Sequence, residues 1–368
     1  MNIKDTNTTL QSNLNHQKGL SLIEILVTLV ISIFLMGGII QVYLGNKTAY
    51  KFSNAISHTQ ENGRFALDSI STDIRMAGFW GCTDLESEDK DGDGFLQNEN
   101  PQVQNHLNDA SANFAADRHD FIEMPSITAT VDDGLNDSDT LTLRGAKAGQ
   151  SAFTANFSSP GDGAIQVAEN SSLRAGDILL ITNCYSADIF EATSVSNSAG
   201  ISTITHTTAA GSSDSPGNKT INACPGVDAN CLLSQNDRPF TPSNAALFSL
   251  QTVTYSIQAS EGNTAEPALW RSVNNVDEEL IEGIENLQIL FGVDTDGDGS
   301  PNQYQESDAV VNLQQVTAVR IWLVARSERD NVNEKEQTYT INGETITSPD
   351  KRMRQVFSMT IALRNKEA

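Results

Sequence analysis

One apolar segment constrains this chain more than any other feature of its sequence. Between Lys18 and Lys47 the only charged residue is Glu24. The stretch from Gly19 to Leu44 is rich in Leu, Ile and Val, and it is long enough to cross a bilayer as one helix. We therefore expect residues 20–44 to form a transmembrane helix that anchors the chain in a membrane.

The residues that flank this segment differ from those of an ordinary secretory signal, because no small-residue cleavage site follows the apolar core. The run Lys18-Gly19-Leu20-Ser21-Leu22-Ile23-Glu24 instead resembles the class III signal of type IV prepilins, although Leu20 replaces the more usual phenylalanine. In that family a dedicated prepilin peptidase cuts after the glycine and methylates the new amino terminus. The resemblance implies a leader over residues 1–19, cleavage between Gly19 and Leu20, and N-methylation of Leu20.

The chemistry of Glu24 supports the same interpretation. A carboxylate within an apolar helix is costly and is seldom kept without a partner. Cleavage after Gly19 creates a positively charged amine at Leu20, which can neutralise Glu24 of the same or a neighbouring subunit and set the register of assembly. The alternative is a plain signal anchor in which Glu24 lies at the level of the lipid headgroups.

The helical pattern continues beyond the membrane segment. Apolar or small residues recur with the 3.6-residue period of a one-sided helix, and Gly78 is a plausible end. A helix over residues 20–77 would be about 87 Å long. A break near Gly37-Gly38 or Gly45-Asn46, followed by a separate short helix, is the alternative. The recurring positions are Phe52, Ile56, Thr59, Gly63, Ala66 or Leu67, Ile70, Ile74 and Ala77.

Residues 78–368 have the pattern of a β-rich domain. Alternating or continuous apolar runs predict strands at 140–143, 177–182, 250–257, 287–291, 316–325 and 356–364. A short helical pattern is expected around Glu278 to Glu285, and residues 192–213 are expected to form a loop or an irregular hairpin. The predicted fold class is α+β and pilin-like, with antiparallel sheets packed on the C-terminal half of a long N-terminal helix.

Several segments after the helix extend the resemblance to the PilW-type minor pilins of type IV pili. The resemblance implies a low-abundance structural subunit, not an enzyme, that starts pilus assembly with other minor pilins and the major pilin, at the tip. It also implies an inner-membrane protein with its globular domain in the periplasm and, after assembly, outside the cell. The segments that carry it are 75–82, 138–143, 176–184, 281–288, 291–298 and 354–365.

Charge excludes some partners and favours others. The chain has 47 acidic and 23 basic residues, a formal net charge of −24. Nucleic acids and anionic membrane surfaces would repel such a chain, whereas cations would be attracted to it. We expect no nucleic-acid partner.

Two acidic loops repeat one spacing. The first carries Asp89, Asp91 and Asp93, and the second carries Asp294, Asp296 and Asp298, each with a glycine at the sixth position. This spacing is typical of loops that wrap oxygen ligands around Ca²⁺. The bidentate Glu of an EF-hand is missing from position 12 of both loops, and Asp/Gly-rich turns also form without a metal. We predict calcium at both loops, with a metal-free turn as the alternative.

The four cysteines, Cys82, Cys184, Cys224 and Cys231, form no C-x-x-C motif, which argues against a zinc ribbon. If the chain is exported, the periplasm would oxidise these cysteines to disulfides. Cys224 with Cys231 and Cys82 with Cys184 is the preferred pairing, although four cysteines permit three pairings.

Catalytic motifs are absent from the sequence: it contains no G-x-S-x-G, H-E-x-x-H or phosphate-binding glycine loop, and its five histidines are scattered. Two other functions remain open. A minor pseudopilin of a type II secretion system would share the leader and the helix. A membrane-anchored, calcium-dependent adhesin would bind a surface or a sugar without a role in assembly.

Overall fold

The structure is a computed structural model that describes residues 21–81, 102–107, 125–147, 153, 164–169, 172–184, 186–207, 216–218 and 243–365. The chain divides into two compact units, residues 1–54 and residues 55–368.

The N-terminal element is one long α-helix, α1, from Leu22 to Met76. It is continuous through Gly37, Gly38 and Gly45, so the break considered from the sequence does not occur. Helix α1 ends just before Gly78, whose φ of +72° is a left-handed conformation that favours glycine. Residues of α1 that are buried recur every three or four positions from Ala55 to Ile74, which confirms the predicted one-sided pattern.

The described part of the second unit consists mainly of β-strands. Two short 3₁₀ helices, Ser307–Ala309 and Leu313–Gln315, precede one of the long strands. The strands are β1 Gln102–Asn105, β2 Ile127–Gly134, β3 Ser138–Ala146, β4 Ile165–Ala168, β5 Ile178–Thr182, β6 Ser186–Glu191, β7 Ser194–Ser198, β8 Ile201–Thr205, β9 Ala246–Ala259, β10 Pro267–Val273, β11 Val276–Glu282, β12 Ile284–Val293, β13 Gln303–Gln305, β14 Val316–Arg326, β15 Thr338–Ile341, β16 Glu344–Thr347 and β17 Arg354–Ala362.

These strands form four sheets. The largest has eight strands in the order β1-β6-β5-β9-β10-β11, with β3 also paired to β9 and β2 paired to β3. A second sheet has the order β13-β12-β14-β17, a third the order β4-β8-β7, and β15 pairs with β16. The pairings are antiparallel apart from β1 with β6, which confirms a mainly antiparallel α+β fold.

The main core lies between the buried side of α1 and the two larger sheets. Ile70 and Ile74 of the helix are fully buried against Leu141 of β3, Tyr255 of β9 and Ile321 of β14, among others. Inward-facing side chains of β3, β9, β12 and β14 meet the helical stripe in this core, which is why the two periodicities in the sequence fit together.

One detail of the sequence interpretation is wrong, and one of its open alternatives is decided. The helical pattern expected around Glu278 to Glu285 is wrong, because these residues form β11 and the start of β12, with Gly283 at φ +86° between them. Pairing with β10 outweighs the helix propensity of the glutamates, which project from a strand at the edge of the sheet. Residues 192–213 include a hairpin of β7 and β8, paired to β4 in the three-stranded sheet.

Candidate functional site

The first candidate site is the part of α1 that belongs to the N-terminal unit, residues 22–54, which we call the front segment. Every residue of it is exposed, and its large apolar side chains range from 41% exposed at Phe52 to 78% at Phe34. The helix is long and apolar enough to cross a membrane, and none of its apolar window is buried within the protein. An apolar surface of this extent requires lipid or other helices around it, so the front segment anchors the chain in a membrane.

Polar groups near the start of the front segment differ in whether the helix satisfies them. The Thr28 hydroxyl donates to the backbone carbonyls of Glu24 and Ile25, both at 2.9 Å, and the Ser32 hydroxyl donates to the Thr28 carbonyl at 2.7 Å. The Glu24 carboxylate, in the first turn, is exposed and has no hydrogen bond or ion pair with any described residue. Any partner of the Glu24 carboxylate therefore lies outside the described residues. Gly19 and Leu20 lie outside the described residues, so cleavage and methylation there stay predictions.

Residues 55–76 of α1, the back segment, carry a polar site that sequence reasoning missed. One oxygen of Asp73 (Oδ2) accepts hydrogen bonds from the Tyr255 hydroxyl at 2.7 Å and from Arg271 Nε at 2.9 Å. Desolvation and the Asp73 carboxylate raise the pKa of Tyr255 above its usual 10, so the phenol remains a donor. This group fixes α1 to strands β9 and β10.

Two asparagines add backbone contacts at either end of the back segment. Asn62 Nδ2 donates to the Glu282 carbonyl at 2.9 Å. Asn365 Nδ2 donates to the carbonyls of Arg75 and Ala77, both at 3.2 Å, and so satisfies acceptors that the end of a helix leaves free. Asn365, the last described residue, thus hydrogen-bonds to the C-terminal end of α1.

The second acidic loop is the candidate metal site. It follows β12, and single carboxylate oxygens of Asp294, Asp296 and Asp298 lie within 4.8 Å of one another. Asp294 is buried, whereas Asp296 and Asp298 are exposed. Gly297 and Gly299 have φ values of +77° and +82°, which allow the loop to turn sharply. The structure therefore brings together the three carboxylates predicted from the spacing.

Backbone donors pre-organise the buried carboxylate of this loop. Asp294 Oδ1 accepts from the N–H groups of Asp296 and Gly297, and its Oδ2 accepts from the N–H of Gly299 at 2.7 Å. Desolvation alone would raise the pKa of Asp294, but these backbone hydrogen bonds outweigh it and lower the pKa below the usual 3.8. Asp294 is thus held in its ionised form, which is the form that ligates a hard cation.

The other predicted residues are only partly described. The first acidic loop, with Asp89, Asp91 and Asp93, lies outside the described residues, as do Cys82, Cys224 and Cys231. Cys184 follows β5 with φ +67° and is disulfide-bonded. Which of the other cysteines it joins stays a prediction.

A buried ion network, also missed from the sequence, surrounds the start of β17. The fully buried guanidinium of Arg354 donates to both oxygens of Glu285, from Nε at 2.6 Å and from Nη2 at 2.9 Å, and to Asp350. Arg326 and Arg352 contact Glu266 at 2.8 and 2.7 Å. Each buried charge has a partner, as such positions require. The network ties the segment 327–353 back to β12 and β14.

Comparison with protein families gives two matches. The family model described as "Type IV Pilus-assembly protein W" matches residues 254–365, which include the Asp294 loop, the buried ion network and β17. The model described as "Prokaryotic N-terminal methylation motif" matches residues 14–40, which include Gly19, Leu20 and Glu24. Searches of the curated proteins and of the solved structures gave no significant match.

These two matches lie at opposite ends of the chain and agree with independent features of the structure. The methylation motif includes the first half of the exposed apolar helix, and the pilus-assembly model covers the four-stranded sheet, whose side chains pack with those of the back segment in the main core. The combination of a prepilin-type start, one long helix and a mainly antiparallel β domain supports a PilW-type pilin.

Proposed function

We propose that this pilin is a minor structural subunit that starts assembly of a type IV pilus and remains at its tip. The observation that carries the proposal is the front segment of α1, an exposed and mainly apolar helix whose only acidic residue, Glu24, has no partner in the described part of the chain. A neighbouring subunit's methylated amine supplies the missing charge when such helices pack together.

The proposal includes the maturation pathway and the location. Prepilin peptidase removes residues 1–19 and methylates Leu20, and the front segment then holds the subunit in the inner membrane. The β domain faces the periplasm before assembly and the exterior afterwards. The partners are other minor pilins and the major pilin. A family of structural pilus components with a methylation motif supports this role over an enzymatic one.

Processing is tested with Gly19→Ala. The full chain should keep its leader, and intact mass together with N-terminal sequencing should show the first nineteen residues still attached. Gly37→Ala is the matched control, because an added Cβ there meets no atom within 4 Å. Normal removal of the leader from Gly19→Ala would contradict the proposed pathway.

The charge-pairing step is tested with Glu24→Gln, which keeps the size and polarity of the side chain but removes its charge. Cleavage should be normal by mass, whereas the number of pili per cell should fall sharply. Unchanged piliation would refute the pairing. A strain that lacks the gene should assemble few or no pili, and an antibody against the β domain should label pilus tips; wild-type piliation without the protein would exclude an initiating role.

We also propose that the Asp294 loop binds Ca²⁺. The support is the convergence of three carboxylates on a loop whose backbone already fixes Asp294 in its ionised form. Three like charges this close repel one another, and a divalent cation would offset the repulsion. We extend the proposal by analogy of spacing to Asp89, Asp91 and Asp93.

The calcium proposal is tested by thermal unfolding of the full-length protein in detergent, in Ca²⁺ and in chelator. Wild-type protein should melt higher in Ca²⁺, because a ligand that binds only the folded state stabilises it. Asp296→Asn combined with Asp298→Asn should shrink that difference, whereas Asp308→Asn, an exposed acid nearby, should not. Equal melting of the wild type in both conditions would refute calcium binding.

A further inference from the structure

Strand β17 has one edge with which no other described strand forms a hydrogen-bonded ladder, although β15 lies close to β17. It pairs only with β14, in a register that runs without a shift from Ala318↔Ala362 to Arg326↔Arg354. Backbone groups alternate in direction along an antiparallel strand. Leu363 N donates to Thr317 O, toward β14. The even-numbered residues Val356, Ser358 and Thr360 therefore direct their N–H and C=O groups away from the sheet, and none of these groups has a hydrogen-bond partner in the described part of the chain.

At the start of the same edge, a side-chain amide makes the two hydrogen bonds that a neighbouring strand would make. Gln337 Nε2 donates to the carbonyl of Arg354 at 2.7 Å, and the N–H of Arg354 donates to Gln337 Oε1 at 2.8 Å. One amide thus satisfies both outward groups of Arg354. The outward backbone groups of Arg354 are therefore satisfied, and the open edge is confined to residues 356–362.

Other long edges of the described sheets carry the protections expected against unwanted pairing. Edge strand β11 contains four acidic residues in seven positions. Edge strand β2 has a register irregularity after Thr130 and contains Asp132 and Asp133. Charges and irregularities of this kind keep sheet edges from pairing with other chains. The five-residue edge strand β7 lacks charge, but Val195 is its only apolar residue, so it offers little to bury.

Strand β17 has none of these protections. From Gln355 to Ala362 it contains no charge, no proline and no bulge, in a protein with a net charge of −24. Its apolar side chains Phe357 and Met359 pack against the main core but stay only partly buried. A strand added at this edge would cover both side chains and satisfy the open backbone groups.

The edge is also held rigidly at both ends. Arg354 is fixed by two hydrogen bonds to Glu285, and the Thr360 hydroxyl accepts from Arg320 Nε at 3.1 Å. The Arg320 guanidinium in turn stacks over the Tyr304 ring, 3.7 Å from its centroid. Little conformational entropy is then lost when a partner binds, which favours association.

We propose that residues 356–362 of β17 are an interface at which a strand from a different pilus subunit extends the four-stranded sheet. The expected partner strand is extended and uncharged, with apolar side chains on the face that meets Phe357 and Met359. A second copy of this chain is disfavoured, because each copy carries a charge of −24 and the two would repel. That the partner is a pilus subunit rests on the proposed function; the open edge does not.

The test replaces one outward backbone donor. In Ser358→Pro the lost N–H points away from β14, so the ladder with β14 keeps its bonds. Ser358→Ala is the matched control, since it removes the hydroxyl but keeps the N–H. Both full-length variants are expressed in the native host. Pilus subunits that co-purify with each variant are quantified, and thermal unfolding checks that the variant is folded.

Ser358→Pro should reduce the recovered pilus subunits by at least tenfold, whereas Ser358→Ala should leave recovery unchanged. Ser358→Lys, which keeps the N–H but places a charge on the edge, covers the case in which the proline variant does not fold, and it should cause a similar loss. Equal recovery with the folded edge variants and with Ser358→Ala would overturn the proposal.

Hydrogen exchange separates this proposal from the proposed function. The amides of Val356, Ser358 and Thr360 should exchange fast in the purified protein and become protected when pilus subunits are bound. Protection with normal piliation in a strain that lacks the gene would leave the interface standing and refute the initiating role. Protection by self-association of the purified protein, detected by sedimentation, would overturn the choice of partner, and fast exchange in the complex would overturn the interface itself.

Discussion

The two segments of α1 share one helix but differ in everything that surrounds them. In the front segment every residue is exposed, and the large side chains are almost all apolar. In the back segment buried and exposed residues alternate with helical period, and the buried ones meet strands of both large sheets. The back segment has its partner within the chain, whereas the front segment must find one outside it.

Each segment contains a carboxylate, and the two carboxylates differ in their partners. Asp73 of the back segment is neutralised by Arg271 and receives a hydrogen bond from Tyr255, so its partners are part of the fold. Glu24 of the front segment has no such partner among the described residues. Asp73 thus acts within the fold, whereas the role in assembly that we propose for Glu24 needs a second subunit. Three pairs of substitutions can test this comparison.

The largest difference should come from a pair of isoleucines. Ile70→Ala removes a fully buried side chain and should lower the free energy of unfolding by roughly 2–5 kcal/mol. Ile31→Ala, at a side chain that is 52% exposed, should change it by less than about 0.5 kcal/mol. Urea unfolding of the full-length protein in detergent measures both. Equal losses would show that the front segment also contributes to folding of the β domain.

A pair of glycines should give the next largest difference. A Cβ built on Gly63 would lie 2.2 Å from Phe357 Cε2, whereas a Cβ on Gly38 meets no atom within 4 Å. Gly63→Leu should lower the free energy of unfolding by about 2 kcal/mol through overpacking. Gly38→Leu should be neutral or slightly stabilising, because leucine favours the helix. If Gly63→Leu unfolds no more easily than Gly38→Leu, the helix does not pack as closely on β17 as described.

Features that depend on residues close together in the chain can be predicted from the sequence, whereas features that depend on strand pairing cannot. The length of α1, its buried stripe and the strands β3, β5, β9, β12, β14 and β17 follow from hydrophobic periodicity, which is a local signal. Strand β11 was mistaken for helix because its glutamates favour helix, and only pairing with β10 decides otherwise. Hairpin β15–β16 was missed, although Asn342-Gly343, with φ values of +47° and +84°, is a turn signal that could have located it.

The candidate sites divide in the same way. The signal around Gly19, Glu24 and the Asp294 loop can be proposed from sequence because each is a short motif whose residues are neighbours in the chain. The Asp73–Tyr255 hydrogen bond joins residues 182 positions apart, and the Arg354–Glu285 pair joins residues 69 apart. No spacing rule reaches across such distances, since they depend on which strands pair. The open edge of β17 likewise becomes visible only once the sheet order is known.

The pair of carboxylates should give a smaller difference than the glycines. Asp73→Asn keeps a polar side chain but removes the charge that faces Arg271, and it should lower the free energy of unfolding by about 1.5 kcal/mol. Glu24→Gln should leave it unchanged and act on assembly instead. Unfolding and piliation are measured for both variants. A loss of stability in Glu24→Gln would mean that its carboxylate has a partner within the same chain.

The smallest expected effect is a pH dependence that belongs to the β domain. Asp139 is buried in β3; its Oδ1 accepts from the N–H of Asp132 at 3.1 Å and its Oδ2 from the N–H of Ile289 at 2.7 Å. Desolvation by burial outweighs these hydrogen bonds and raises the pKa of Asp139 from 3.8 to about 6. The folded state then binds more protons than the unfolded state between these two values, so stability falls as the pH rises through this range.

Lowering the pH from 7 to 5 should therefore increase the free energy of unfolding by about 1 kcal/mol through this group. Asp294 and Asp350 do not oppose the change, because their pKa values are lowered and their contributions are lost only below pH 4. Burial also raises the pKa of Asp177, so the wild type alone cannot assign the effect. Urea unfolding of Asp139→Asn at both pH values isolates it: the gain on acidification should shrink in this variant, and an equal gain in both proteins would show that Asp139 is already fully ionised at pH 5.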